Sequence, residues 1–296
     1  MAVQTVGRRP QPLPAQRFGR DIVRQFVRKP LALVSAGLLL LMVLSAALAP
    51  LFAPYDPDRQ GIAEPFASPA AGHLFGTDQF GRDVLSRVLY GGRISLQVGL
   101  VAVAIGGSVG LALGCLAGYV GRWTDDAVMR LIDIMLAFPG ILLAIAVVVM
   151  LGPGERNLMI AVGIGTIPTF CRVVRAAVLT VKERDYVSAA RAMGAADVAL
   201  IARHILPNIL APFIVLATLD VATAILSGTA LSYLGLGAKL PTPEWGLMLS
   251  EGRTFVGDAW WVATFPGLAI TVAVIGINLL GDGLRDVLDP RMKGAR

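Results

Sequence analysis

Apolar residues along this chain gather into six long runs: Leu31 to Phe52, Leu96 to Tyr119, Val128 to Leu151, Leu158 to Val174, Leu210 to Leu236, and Trp260 to Leu280. A helix needs about 20 mostly apolar residues to cross a bilayer, and only a helix satisfies its own backbone where water is absent. The pattern therefore predicts an all-α integral membrane protein with six transmembrane helices. Composition agrees, with 55% hydrophobic and 16% charged residues and a mean hydropathy of +0.70, which excludes an ordinary soluble domain.

The runs divide the chain into a leader over 1–30, a first span over 31–53, a polar loop over 54–93, and a core over 94–296 that includes a long connector at 182–209. Ala47 and Ala49 give the first run an A-x-A pattern. The run is nevertheless longer than the roughly 7 to 15 apolar residues of a signal core, and Pro50 follows the candidate cleavage point, so Met1 is expected to stay on the chain.

Charge sets the orientation. Six spans put both termini on one side, and of the 26 Lys and Arg residues all but Arg59, Arg82, Arg87, Arg93, Arg156, Lys239 and Arg253 fall on that side. The positive-inside rule makes it the cytoplasmic side of a multi-pass protein. The net charge of +6 then has a membrane explanation, and no basic cluster with interleaved aromatics points to nucleic acid. In the leader, Phe18, Ile22 and Phe26 recur every fourth residue opposite Arg17, Arg20, Arg24 and Arg28. This predicts a short basic amphipathic helix lying on the lipids of the inner leaflet.

Glycine marks the second span: Gly106, Gly110, Gly114 and Gly118 recur every fourth residue and so share one helix face. Such a face lets another helix backbone approach closely. Cys115 and Cys171 lie inside runs without metal-ligand spacing and read as small apolar side chains. In the loop before that span, Thr77 or Asp78 is a candidate cap for a helix running towards Tyr90, with Gly91 and Gly92 ending it.

The connector from Lys182 to Ile209 reads KERDYVSAARAMGAADVALIARHILPNI. It predicts two short helices broken near Gly194, which permits a turn other residues resist, with Pro207 stopping the second helix before the fifth span. Ala189, Ala190 and Ala192 suit close docking. This segment resembles the EAA loop of ABC-importer permeases, with Ser188, Ala189 and Ala190 ahead of Gly194, and His204, Leu206 and Pro207 closing the pattern. It departs from the general pattern at Ser188, where the family has Glu, and at His204, where it has Ile. Three other stretches resemble the second permease subunit of the dipeptide, oligopeptide and nickel importers: FGTDQFGRDVLSRVLYGGRISLQVG, LSYLGLGAKLPTPEWGLML and NLLGDGLRDVLDPR.

The resemblance implies the type I ABC-importer permease fold, in the bacterial inner membrane. It implies a homologous permease as heterodimer partner, two cytoplasmic ABC ATPases gripping the loop, and a periplasmic or lipid-anchored binding protein delivering di- or oligopeptides, or else nickel or another small solute. ATP and magnesium would be bound by the ATPases, because this chain has no G-x-x-x-x-G-K-[ST] phosphate loop and no catalytic or metal-binding set. The coupling residues are then expected to be Tyr186, Ser188, Ala189, Ala190, Arg191, Gly194, Ala195, His204, Leu206 and Pro207.

Two other functional classes are open to such a chain. An ion-coupled transporter needs a membrane-embedded carboxylate, and Asp220 is the one acidic residue near the middle of a run, which also makes it a candidate pathway residue. In this family an acidic residue often precedes the L-S-x-L-G-L-G run; here Ser227 and Gly228 stand there. A membrane enzyme finds little to work with: His73 and His204 fall on opposite sides, the first reading as a solvated loop residue and the second as a helix end. Asp282, Asp286 and Asp289 with Arg285 and Arg291 read either as a solvated helix end or as a partner contact.

Overall fold

The computed structural model describes residues 29–288, so the leader helix and residues Asp289 and Arg291 lie outside the described residues. Among the described residues every extended element is helical. In chain order they are α1 (Pro30–Ala47), α2 (Ala49–Phe52), α3 (Val84–Val120), α4 (Arg122–Leu136), α5 (Gly140–Leu151), α6 (Glu155–Lys182), α7 (Asp185–Ala192), α8 (Asp197–Leu200), α9 (Leu206–Tyr233), α10 (Trp245–Gly252) and α11 (Trp261–Leu288).

Helices α1, α3, α6 and α11, together with α8 running on into α9, are each long and apolar enough to cross a membrane. The third predicted run is different. Its residues form α4 and α5, which meet at 90°. Pro139 explains the break, since it lacks an N–H for the helix ladder and pushes Phe138 away from helical geometry. Packing shows what the bent pair does. Gly106 of α3 lies against Gly163 and Thr166 of α6, and Gly118 lies against Arg175 and Val178, so α3 and α6 run parallel. Both therefore end at the same end of the bundle, and the chain must return between them through α4 and α5. The sixth crossing is real but broken.

The α3–α6 contact is built on the glycine stripe. A Cβ on Gly106 would sit 1.8 Å from Thr166 Oγ1, one on Gly110 2.4 Å from Phe170 Cβ, one on Gly114 2.6 Å from the Cys171 carbonyl, and one on Gly118 2.9 Å from Val178 Cβ. No side chain fits at these positions, so the backbones touch. Cys171 is buried in this contact and Cys115 is half-buried; neither forms a disulfide.

Helix α3 starts later and runs further than expected. Its cap is Asp83, which accepts from the Ser86 N–H at 2.8 Å and the Ser86 hydroxyl at 2.7 Å; neither Thr77 nor Asp78 caps it. Gly91 and Gly92 lie inside the helix, where a Cβ on Gly92 would come within 3.1 Å of both Ala46 and Trp245. They admit α1 and the Trp245 indole, and do not end anything. Nearby, Arg93 donates to the Ala46 carbonyl at 2.7 Å and the Ala47 carbonyl at 2.6 Å, closing the last turn of α1.

The polar loop and α10 form a cap held by buried charge. Arg82 donates to Asp78 at 2.6 Å and to Glu251 at 2.9 Å. Arg87 donates to the other Glu251 oxygen at 3.2 Å and to the carbonyls of Pro57 and Pro241, both at 3.2 Å. Glu244 is buried and accepts from the N–H groups of Gly246 and Leu247 at the start of α10 and from the Ser95 hydroxyl; burial pushes its carboxyl above the usual carboxylate range. His73 is no solvated loop residue: its ring stacks on Tyr55, and its Nδ1 lies 3.2 Å from Asp83. The Trp261 indole donates to the Thr77 carbonyl at 3.0 Å, which places the start of α11 at this same end.

At the opposite end, Lys29 pairs with Asp286, bringing the start of α1 to the end of α11. The described chain thus begins and finishes at one end of the bundle, away from the charged cap.

Candidate functional site

The connector 182–209 lies at the end where α3 and α6 finish. Helix α7 closes in a turn dictated by Gly194. The Gly194 N–H donates to the Arg191 carbonyl at 3.0 Å and the Ala195 N–H to the Ala190 carbonyl at 3.1 Å, a pair of bonds that needs a left-handed residue between them. Gly194 supplies it with φ at 85°.

After this turn the chain does not stop at Pro207. Helix α8 passes through a wide π turn, Ile201–Ile205, directly into α9, with Pro207 in its first turn. Proline cannot donate to the carbonyl four residues back and crowds it, and a widened turn just before it removes both conflicts. The proline shapes the entry to the span instead of ending the helix before it.

One face of the connector is anchored. Val187, Ala190, Leu200 and Ile205 are buried, and Ile205 packs with Val174 and Val178 of α6. Three polar contacts tie the connector to the end of α3. The Tyr119 hydroxyl donates to the Asp197 carboxylate, and the Arg191 guanidinium stands 5.7 Å over the Tyr119 ring. Lys182 donates to the Gly118 carbonyl at 2.8 Å. Residues on both sides of the Gly194 turn therefore hold one helix end.

The other face is open. Ser188, Ala189, Arg191, Gly194 and Pro207 are exposed, as is Tyr186, whose ring lies 6.3 Å from that of His204. Ala195, His204 and Leu206 are half-buried, and Ala190 is buried on the anchored side. Met193 is 82% and Val198 78% exposed. Two large apolar side chains standing almost free on either side of one tight turn form a surface that water solvates poorly. The sequence motif did not single out Met193, Val198, Tyr119 or Asp197. Met193 was legible as an apolar residue flanking the turn glycine, whereas Tyr119 and Asp197 are 78 positions apart and only folding joins them.

Asp220 lies mid-way along α9, half-buried, remote from this connector. The glycine stripe is likewise a separate feature, engaged throughout by α6.

Residues 110–294 match the family described as the binding-protein-dependent transport system inner membrane component. The chain belongs to that family. Residues 17–69 also match the N-terminal transmembrane domain of oligopeptide transport permease C. Among curated relatives, the dipeptide transport system permease protein DppC of Alkalihalophilus pseudofirmus is 47% identical over 93% of this chain and 90% of its own length. The di/tripeptide transport system permease protein DppC of Pseudomonas aeruginosa is 46% identical over 96% of this chain and 94% of its own length. Among solved structures, the inward-facing MetNI methionine ABC transporter superposes with a TM-score of 0.58 at 19% identity, covering 69% of this chain and 96% of the matched chain. That likeness establishes the type I ABC-importer permease fold. The chain is thus a permease subunit of a binding-protein-dependent importer.

The turn makes a sharp prediction. Among the described residues nothing lies within 4 Å of a Cβ placed on Gly194, so Gly194→Val creates no clash there and acts through backbone conformation. A β-branched residue with positive φ is strained by about 1–3 kcal/mol, enough to re-aim α7 against α8. ATP-driven uptake is expected to fall about tenfold or more while membrane insertion stays normal, and Gly194→Asn, which tolerates positive φ, is expected to retain most activity. Uptake assays in proteoliposomes with the partner subunits check this; wild-type transport by the valine variant would show that the turn is not where motion is received.

Proposed function

We propose that this chain forms half of the translocation pathway of a peptide importer in the bacterial inner membrane, beside a homologous permease. Its connector faces the cytoplasm and seats in one of two ABC ATPases, which bind the ATP and magnesium; a binding protein delivers cargo to the opposite, charged-cap end. Di- and oligopeptides are the favoured cargo, because the relatives named above are named for dipeptide and di/tripeptide transport.

The observation that carries this reading is the connector itself: an ordered turn with one face fixed to α3 and α6 and the other presenting Met193 and Val198. An apolar pair of this kind seats in a pocket, and its burial contributes about 1.5–3 kcal/mol per side chain. Force applied at the turn reaches α3 through Tyr119 and Lys182, and α9 through the unbroken run from α8. The chain itself transmits that force and carries out no chemistry.

The test is reconstitution with both ATPases, the second permease and the binding protein, followed by uptake of radiolabelled dialanine. Wild-type complex should import only with ATP. Met193→Asp places a carboxylate in the seat, and is expected to weaken ATPase association at least tenfold and abolish ATP-dependent uptake. Full association of the Met193→Asp chain with the ATPases would place the seat elsewhere.

A further inference from the structure

Helix α9 is packed against α3, α6 and α11, the α6 contact including Phe213 on Phe170. Ile225 and Gly228 meet Gly99 and Val98 of α3, while Ala222 packs with Ile277 of α11. Its remaining face carries Asp220, Thr223 and Ser227, which share one lane by their spacing of three and seven residues. Thr223 is exposed, and Asp220 and Ser227 are half-buried. The lane is about 10 Å long at the rise of an α-helix.

The exposed faces of α1 and α5 read differently. The exposed positions of α1 include Leu33, Val34, Leu40, Leu41 and Leu44, and those of α5 include Ile141, Leu142, Val149 and Met150. A carboxylate flanked by hydroxyls has no place against hydrocarbon, where a charged side chain costs several kcal/mol. The Asp220 lane therefore faces a polar space or a partner.

The carboxylate is left wanting among the described residues. Among these described residues its Oδ2 is sealed from solvent and meets no hydrogen-bond donor, and no lysine, arginine or histidine pairs with it. A buried acceptor in that state calls for a cation from outside the chain.

We propose that Asp220, with the hydroxyls of Thr223 and Ser227, is a subsite for the protonated amino group of the translocated peptide. This rests on the peptide-importer reading above. Every peptide with a free amino terminus brings an α-ammonium, which can donate up to three hydrogen bonds. The lane offers a charged acceptor and two neutral ones, so the site fits any peptide with a free amino terminus and is indifferent to its side chains.

The binding protein also selects cargo, so the experiment leaves it out. Purified complex of both permeases and the ATPases is titrated with dialanine and with N-acetyl-dialanine, and binding is read by saturation-transfer NMR. Wild-type complex is expected to bind dialanine roughly tenfold more tightly, the scale of a charge-assisted hydrogen bond. Asp220→Asn should erase that preference and Asp220→Glu should keep most of it, with both variants assembling normally. An unchanged preference in Asp220→Asn overturns the subsite. So does a variant that loses the second permease during purification while keeping the preference, because Asp220 then pairs across the permease interface. Absence of ATP-driven dialanine uptake by the full wild-type system is a separate failure, which removes the importer reading itself.

Discussion

Replacing Glu251 with leucine is expected to be among the most damaging single changes outside the spans. Glu251 accepts from both Arg82 and Arg87, whose side chains are each 1% exposed. Without it, two buried guanidinium groups share Asp78, with the half-exposed Asp58 3.6 Å from Arg87. Breaking a buried pair by removing one partner costs about 3–5 kcal/mol, because the remaining charge keeps its desolvation penalty and loses its compensation. The loop before α3 and helix α10 should separate as a result. Thermal unfolding of the purified subunit complex, followed by size-exclusion fluorescence, is expected to shift down by several degrees or more. A double change, Glu251→Leu with Arg87→Met, should cost less than the sum of the two single changes, since the second removes a charge the first orphaned. Strict additivity would mean that these residues do not act as one network.

The other large effect is expected at Gly110. A Cβ there would sit 2.4 Å from Phe170 Cβ and 3.0 Å from the Cys171 nitrogen. Phe170 cannot yield easily, being buried and packed against Phe213 with ring centroids 5.5 Å apart, and the backbone cannot yield without moving α6. Even Gly110→Ala is expected to cost about 1–3 kcal/mol by overpacking, and Gly110→Leu to prevent the α3–α6 pair from forming. The yield of folded protein in mild detergent reads both. Gly37→Ala is the control: among the described residues nothing lies within 4 Å of its Cβ, so alanine should be neutral or slightly stabilising in α1. Equal tolerance at Gly37 and Gly110 would contradict the close backbone contact.

Much of the architecture was legible from the chain alone. Run lengths set the number of crossings, because a bilayer imposes one length on every spanning helix. The four-residue glycine period marked a close-packing face, and the turn at Gly194 followed from the one residue type that accepts its backbone angles. Hydropathy could not show the 90° break at Pro139, since an apolar run reads the same whether straight or bent. It could not place the start of α3 either. Thr77, Asp78 and Asp83 are all competent caps, and tertiary packing chose Asp83 by committing Asp78 to Arg82 and tying the Thr77 carbonyl to Trp261.

The functional residues divide along the same line. Local pattern determined the connector, because a helix, a glycine turn and a second helix are specified by neighbours in sequence. Long-range contacts decided what that connector grips and what it offers. Tyr119 meets Asp197 and Arg87 meets Glu251 only once the helices have packed, since a charge or hydroxyl carries no mark in the sequence of its distant partner. Asp220 stood out in sequence as an acid in an apolar run. Only the packed bundle showed that no cation of the described residues reaches it and that Thr223, one turn on, stays exposed on α9.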